Sequence, residues 1–154
     1  MSEYIKLLNY IKSCAGSFVT IIYDNDTINQ DFLTSIKEYL KSEYKIENKF
    51  LDISKIVEKT IVFIEYDKNI DFTKLKGNNN VILIVLRKYY ETSNTQIFGS
   101  KLEYDSNLIL LFSKKRIKIL KNRFLEQAMP LVMIDMVKIV RKQKLKNLNN
   151  EWKS

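Results

Sequence analysis

The chain of 154 residues has no histidine and one cysteine, Cys14. Without histidine there is no Ser-His or Cys-His pair, and no imidazole to act as a general base. The usual zinc and transition-metal ligand sets are missing for the same reason, and no metal site is expected. A lone cysteine cannot build an internal disulfide framework, which fits a reducing compartment. Nor is there an apolar run of the ~18 residues that a spanning helix needs, or a signal-peptide pattern at the N-terminus. The expectation is therefore a cytoplasmic protein. A further shortage is local: residues 76–154 hold 6 carboxylates against 16 lysines and arginines, a net of +10. Residues 1–75 hold 12 carboxylates against 10 lysines, a net of −2. A coding bias toward Lys, Asn, Ile and Tyr explains the lysines but not the missing carboxylates. A basic half beside a near-neutral half points to a polyanion or an acidic protein surface as partner.

What is present suits a folded chain. Hydrophobic residues make up 45% and aromatics 12% of the sequence, enough for a globular core and one domain over 1–154. "SEYIKLLNYIKSCAG" has helical spacing and ends at Gly16, giving an N-terminal helix within 1–16. "SFVTIIYD" reads as a buried strand, "DNDTINQ" as turn chemistry, and "DFLTSIKEYLKSEY" as a helix. A short strand is expected at Lys49–Ile53. "TIVFIEY" and "VILIVLRKYY" are continuous apolar runs, typical of strands covered on both faces. "ETSNTQIFGSKLEYDS" reads as a loop. "NLILLF" and "RIKILKN", joined at "SKK", read as a β-hairpin. "LVMIDMVKIV" is either a last strand or the start of a helix, and 141–154 is a basic tail. The order predicts an α/β fold with a small, mostly parallel sheet flanked by helices and a C-terminal hairpin.

Some of these residues resemble the RecA-like ATPase core of recombinases and hexameric replicative helicases. The densest part is "GSKLEYDSNLILLFSKKRIKILKNRF", Gly99 to Phe124. There Leu102, Glu103, Tyr104 and Asp105 stand where that family has a helix-ending phrase. Lys121-Asn122-Arg123 stands where it has a K-x-R pair at a strand end. A looser likeness runs over a core of 17–140. The resemblance implies a phosphate loop, G-x-x-x-x-G-K-[ST], after the first strand. That loop needs glycines so that amides can approach phosphates, a lysine for the β/γ-phosphates and a hydroxyl for Mg²⁺. Here Asp24 and Asn29 replace the glycines, Gln30 the lysine and Asp31 the hydroxyl residue. Glu65 replaces the metal-holding aspartate and Arg87 a polar sensor. The resemblance thus implies a pseudo-ATPase with no cofactor. It implies an accessory role in DNA replication, recombination or repair, with DNA or a RecA-like ATPase as partner. A hetero-oligomer is expected, with self-association left open.

Several groups are candidates for contact with such partners. Arg87, Lys88, Tyr89 and Tyr90 fall where the family's DNA-facing loop lies, and could hold a backbone and stack bases. They equally suit the end of a strand packed on the core rim. Lys114, Lys115, Arg116 and Lys118 line the hairpin, and Lys138, Arg141 and Lys142 the tail; both are phosphate contacts or solvated faces. Lys121 and Arg123 are read three ways: solvated strand residues, a phosphate contact, or a finger reaching a partner's γ-phosphate in trans. Two functions rival the accessory reading. One is a phage- or plasmid-type inhibitor that docks on a host RecA-like ATPase without touching DNA. The other is an enzyme using Glu65 and Asp67.

Overall fold

Every position of Phe18–Tyr23 is buried, which a six-residue strand achieves only when both faces of its sheet are covered. This strand, β1, is the centre of the computed structural model, which describes residues 3–49, 52–67, 69–75, 77–88, 105–123 and 133–153. Tyr89, Tyr90, the segment to Gln96 and the Leu102–Tyr104 phrase lie outside the described residues, as does the side chain of Trp152.

Before β1 runs α1 (Glu3–Lys12), and after it α2 (Ile28–Leu40). Then follow β2 (Lys45–Glu47), a 3-10 turn (Ile53–Lys55), β3 (Thr60–Glu65), a second 3-10 turn (Phe72–Leu75) and β4 (Val81–Lys88). The last elements are β5 (Leu108–Ser113), β6 (Arg116–Asn122), β7 (Met133–Asp135) and α3 (Met136–Lys153). The strands form one sheet in the order β2-β3-β4-β1-β5-β6-β7. β2 to β5 are parallel through β1, whereas β6 and β7 are antiparallel additions. The chain is thus α/β with a largely parallel sheet.

Two apolar layers sandwich that sheet. Leu7, Leu8 and Ile11 of α1, Phe32, Ile36 and Leu40 of α2, and Met136 and Val140 of α3 pack with Val19, Ile21, Phe63, Leu110 and Ile117 on one face. α1 therefore belongs to the core. Burying one such side chain contributes ~1.5–3 kcal/mol. Edge-to-face ring pairs fix the helices: Phe32 meets Phe112 at 5.4 Å and Tyr4 meets Phe32 at 5.7 Å, a preferred aromatic geometry. On the other face, Phe18, Val62, Ile64, Leu83 and Val85 are capped by Ile53 and Phe72 from the two 3-10 turns. Cys14 is buried and its thiol is pushed up to about 12 by that burial, so it is an inert core residue.

Of the expected strand at Lys49–Ile53, Phe50 and Leu51 lie outside the described residues; among the described ones the strand in this region is β2, which starts four residues earlier, and Ile53 opens a 3-10 turn. β2 is a three-residue edge, specified by its register with β3 (Lys45↔Thr60, Glu47↔Val62) rather than by its own apolar content. "LVMIDMVKIV" is both alternatives at once, since β7 ends at Asp135 and α3 begins at Met136. The residues after 140 continue α3 to Lys153. Among the described residues, no helix is long and apolar enough to cross a membrane.

Gly16 links α1 to β1 with φ +80 and donates its N–H to Val81 O at 2.9 Å. A Cβ added there would stand 2.5 Å from Asn79 Oδ1. Gly16→Ala should therefore lose about 2 kcal/mol, from left-handed strain plus displacement of Asn79. Urea unfolding monitored by circular dichroism measures it, and an unchanged midpoint would contradict it.

Candidate functional site at the carboxyl edge of the sheet

In an open parallel sheet, ligands sit beyond the carboxyl ends of the strands where strand order reverses. Here that place is the end of β1, between β4 and β5. The connection to α2 is only Asp24 to Thr27, because α2 begins at Ile28. Asn29 and Gln30, expected in the turn, lie instead in the first turn of α2, which they share with Asp31, the expected first residue of the helix.

The turn is also already full of anions. The Asp24 carboxylate accepts the Asp26 N–H at 3.1 Å, Asn29 Nδ2 at 2.7 Å and the Lys114 N–H at 3.1 Å. Asp26 Oδ1 accepts the Ile28 N–H at 3.2 Å, doing the capping that Thr27 leaves undone. The next two amides are taken by backbone: Asn29 N–H donates to Asp26 O and Gln30 N–H to Thr27 O. Donors that a phosphate would need thus point at the chain's own carboxylates and carbonyls. Burial alone would raise the Asp24 pKa. The N–H groups of Asp26 and Lys114, with Asn29 and Ser113 side chains, outweigh it and hold the carboxyl below its ordinary 3.8. Asn29 is fully buried, and its Oδ1 has no donor. An orphaned acceptor costs roughly 1–3 kcal/mol, so Asn29 stands here as a donor to Asp24.

Around this turn the structure collects most of the basic candidates. Arg87 and Lys88 end β4, Lys114 and Lys115 form the turn after β5, and Arg116 begins β6. The register places Tyr23 beside both Lys88 and Phe112, so these groups share one edge. With strands ~4.8 Å apart, β4 to β6 spans roughly 14 Å. α3 starts at the same edge, where the Met136 N–H donates to Lys115 O at 3.0 Å. Lys144 of α3 reaches Asp31 in the first turn of α2 at 3.9 Å. Lys138, Arg141 and Lys142 are exposed residues of the same helix. Lys118 does not join them: it is half-buried within β6, paired with Leu111 and Met133.

Lys114 and Lys115 both have positive φ, 54 and 64. A tight two-residue turn between antiparallel strands calls for this conformation, which Asn-Gly adopts with least strain. Two lysines there store ~1–3 kcal/mol each. The Asp24 carboxylate, gripping the Lys114 N–H, helps to hold them in place.

Lys121 and Arg123 lie at the opposite edge. β6 runs back along β5, so Asn122 pairs with Leu108 at the start of that strand. Six residues of strand put the pair roughly 20 Å from Asp24. The Arg123 N–H donates to Asn107 O at 2.9 Å and its Nη1 to Asn107 Oδ1 at 3.3 Å. Lys121 is lowered by burial and by Arg123, with Asp105 acting against both. The pair is close together, as the spacing implies, but far from its own chain's turn.

Glu65 ends β3, and both its oxygens accept the Tyr23 hydroxyl, at 3.1 and 3.3 Å. The Asp67 carboxylate accepts the Asn69 N–H at 2.9 Å. Among the described residues no three of His, Cys, Asp or Glu cluster to hold a metal. Beside these two carboxylates lies a groove of about 600 Å³ lined by Asn48, Lys49, Phe63, Ile64, Tyr66 and Ile70. The Arg87 guanidinium stands 5.3 Å from the Tyr66 ring centre and joins the groove to the basic edge. Sequence reading singled out Glu65 and Asp67 but passed over Tyr66 between them; an aromatic flanked by acids at a strand end was the available signal.

Asp24→Asn keeps the shape, removes the charge and turns an amide donor toward N–H groups that one carboxylate oxygen now accepts. It should lose about 2 kcal/mol at neutral pH, from weaker hydrogen bonds and one left unmade. A depressed carboxyl stabilises the fold above its unfolded value and stops doing so as pH falls through its folded value. The gap between wild type and variant should therefore be constant near neutrality and close below 3.8. Thermal unfolding at a series of pH values reads it, and a gap that persists in acid would contradict the assignment. No protein-family model and no curated protein matches the chain.

Proposed function

We propose that this protein is a non-catalytic RecA-like accessory factor that binds a nucleic-acid backbone along the carboxyl edge of its sheet. On this reading it acts beside a RecA-like ATPase in DNA replication, recombination or repair. The observation that carries it is the strained lysine turn. Lys114 and Lys115 occupy a conformation that disfavours them, held by Asp24, beside Arg87, Lys88 and Arg116. Strain retained against an easy alternative marks a position kept for what it contacts. The 14 Å span corresponds to roughly four phosphates of one strand. The RecA likeness adds the type of partner, and it is supported by the parallel sheet and by an occupied turn where a phosphate loop would sit.

A second reading, docking on a host ATPase without DNA contact, draws on the position of Lys121 and Arg123. They lie at the edge away from the lysine turn, so a partner contact there leaves the basic edge untouched. Lys121→Ala/Arg123→Ala should then alter the partner's ATPase rate in an assembled complex, and an unchanged rate removes the trans-finger role.

Fluorescence anisotropy with single-stranded oligonucleotides tests the main reading. Affinity should fall as salt rises, with a log–log slope of about −3 for roughly four neutralised phosphates. Lys114→Asn/Lys115→Gly should gain about 1–2 kcal/mol of stability by relieving the turn. The same variant should flatten the salt slope by about 1. Binding that is absent at low salt, or that the variant leaves unchanged, would sink the reading.

A further inference from the structure

The groove beside β3 is not used by a purely backbone-binding surface. Its floor is apolar, with Phe63 and Ile64 buried and Ile70 half-buried. Its rim carries acceptors: the carboxylates of Glu65 and Asp67 and the amide of Asn48, whose Oδ1 already takes Lys37 Nζ at 2.7 Å. Tyr66 forms a wall and is fixed from two directions, by Phe72 stacked at 5.9 Å and by Arg87. Tyr23 fixes Glu65 through both oxygens. A carboxylate offers about four lone-pair sites, so Glu65 keeps acceptor capacity on the groove side. The volume, about 600 Å³, lies in the range of small-ligand sites.

We propose that this groove is a nucleobase site, taking guanine from a single strand whose phosphates lie on the neighbouring basic edge. A base supplies the flat apolar body that the floor needs. Guanine presents two adjacent N–H donors on its Watson–Crick edge, the complement of a carboxylate, and acidic side chains accept base amino groups in this way. Thymine turns two carbonyl oxygens toward the same carboxylates and is disfavoured. A phosphate would be repelled from the groove by the Glu65 and Asp67 carboxylates on its rim, while Arg87 beside Tyr66 attracts it just outside. That same cation disfavours the rival occupant, an arginine side chain from a basic peptide. The placement of the strand rests on the polyanion reading above; the chemistry of the groove does not.

Two probes separate these dependencies. A thymidine oligonucleotide carrying a single guanine should bind about tenfold more tightly than plain thymidine oligonucleotide. Glu65→Gln should abolish that preference without weakening the plain oligomer. Lys114→Ala/Lys115→Ala should weaken both oligomers alike and keep the preference. Equal affinities for the wild type would overturn the nucleobase site and leave the basic edge standing. Guanosine, which has no phosphate, tests the groove alone. It should shift the methyl resonances of Ile64 and Ile70 where thymidine does not, even if neither oligonucleotide binds. Absence of those shifts, or their appearance with arginine amide in place of guanosine, would overturn the proposal.

Discussion

The Asp24 carboxylate ties three parts of the molecule together. It closes the turn after β1, positions Asn29 at the start of α2, and holds the Lys114 N–H of the turn between β5 and β6. Each bond is modest by itself, but all three meet one charged group, where hydrogen bonds are strongest. The consequence is chemical as well as structural. In a nucleotide-binding turn the amides wait for an external anion; here the anion is built into the chain. The same carboxylate that binds the amides of its own turn also supports two lysines in left-handed backbone.

The carboxyl edge then divides into two chemistries. From β4 across to β6 it is cationic, with Arg87, Lys88, Lys114, Lys115 and Arg116 along a line. At β3 it is acidic and aromatic, with Glu65, Tyr66 and Asp67 over an apolar floor. Arg87 joins the two by stacking on Tyr66. Such a division suits a ligand with an anionic backbone and a polar, planar side group. The groups are held by strand ends and by contacts from Tyr23 and Phe72, so the surface is organised before anything binds, which lowers the entropy lost on association.

Much of this was legible in the residues, and what was not has physical reasons. "FVTIIY", "TIVFIE" and "VILIVL" announce central strands because they are continuous and almost wholly apolar, interrupted only by Thr20, Thr60 and the terminal Glu65, as both-sides burial demands. That the stretch after β1, Asp24 to Asp31, contains neither glycine nor lysine is also plain in the sequence. That Ile28 to Gln30 are already helical is less plain, since Asn favours turns and only the Asp26 cap moves the helix start ahead of Asp31. β2 escaped because a three-residue edge takes its register from β3. The lysine turn was unreadable as strain, because Lys-Lys carries no signal for positive φ; pairing between β5 and β6 imposes it. The same pairing decides that Lys121 and Arg123 face away from the Asp24 edge, a fact their spacing alone does not contain.

The central claim is that Asp24 and its donors leave no room for a nucleoside triphosphate at the end of β1. Titration calorimetry of the isolated chain with ATP and magnesium addresses it directly. No saturable, magnesium-dependent heat is expected; tight binding of one nucleotide per chain, lost on chelating the metal, would overturn this.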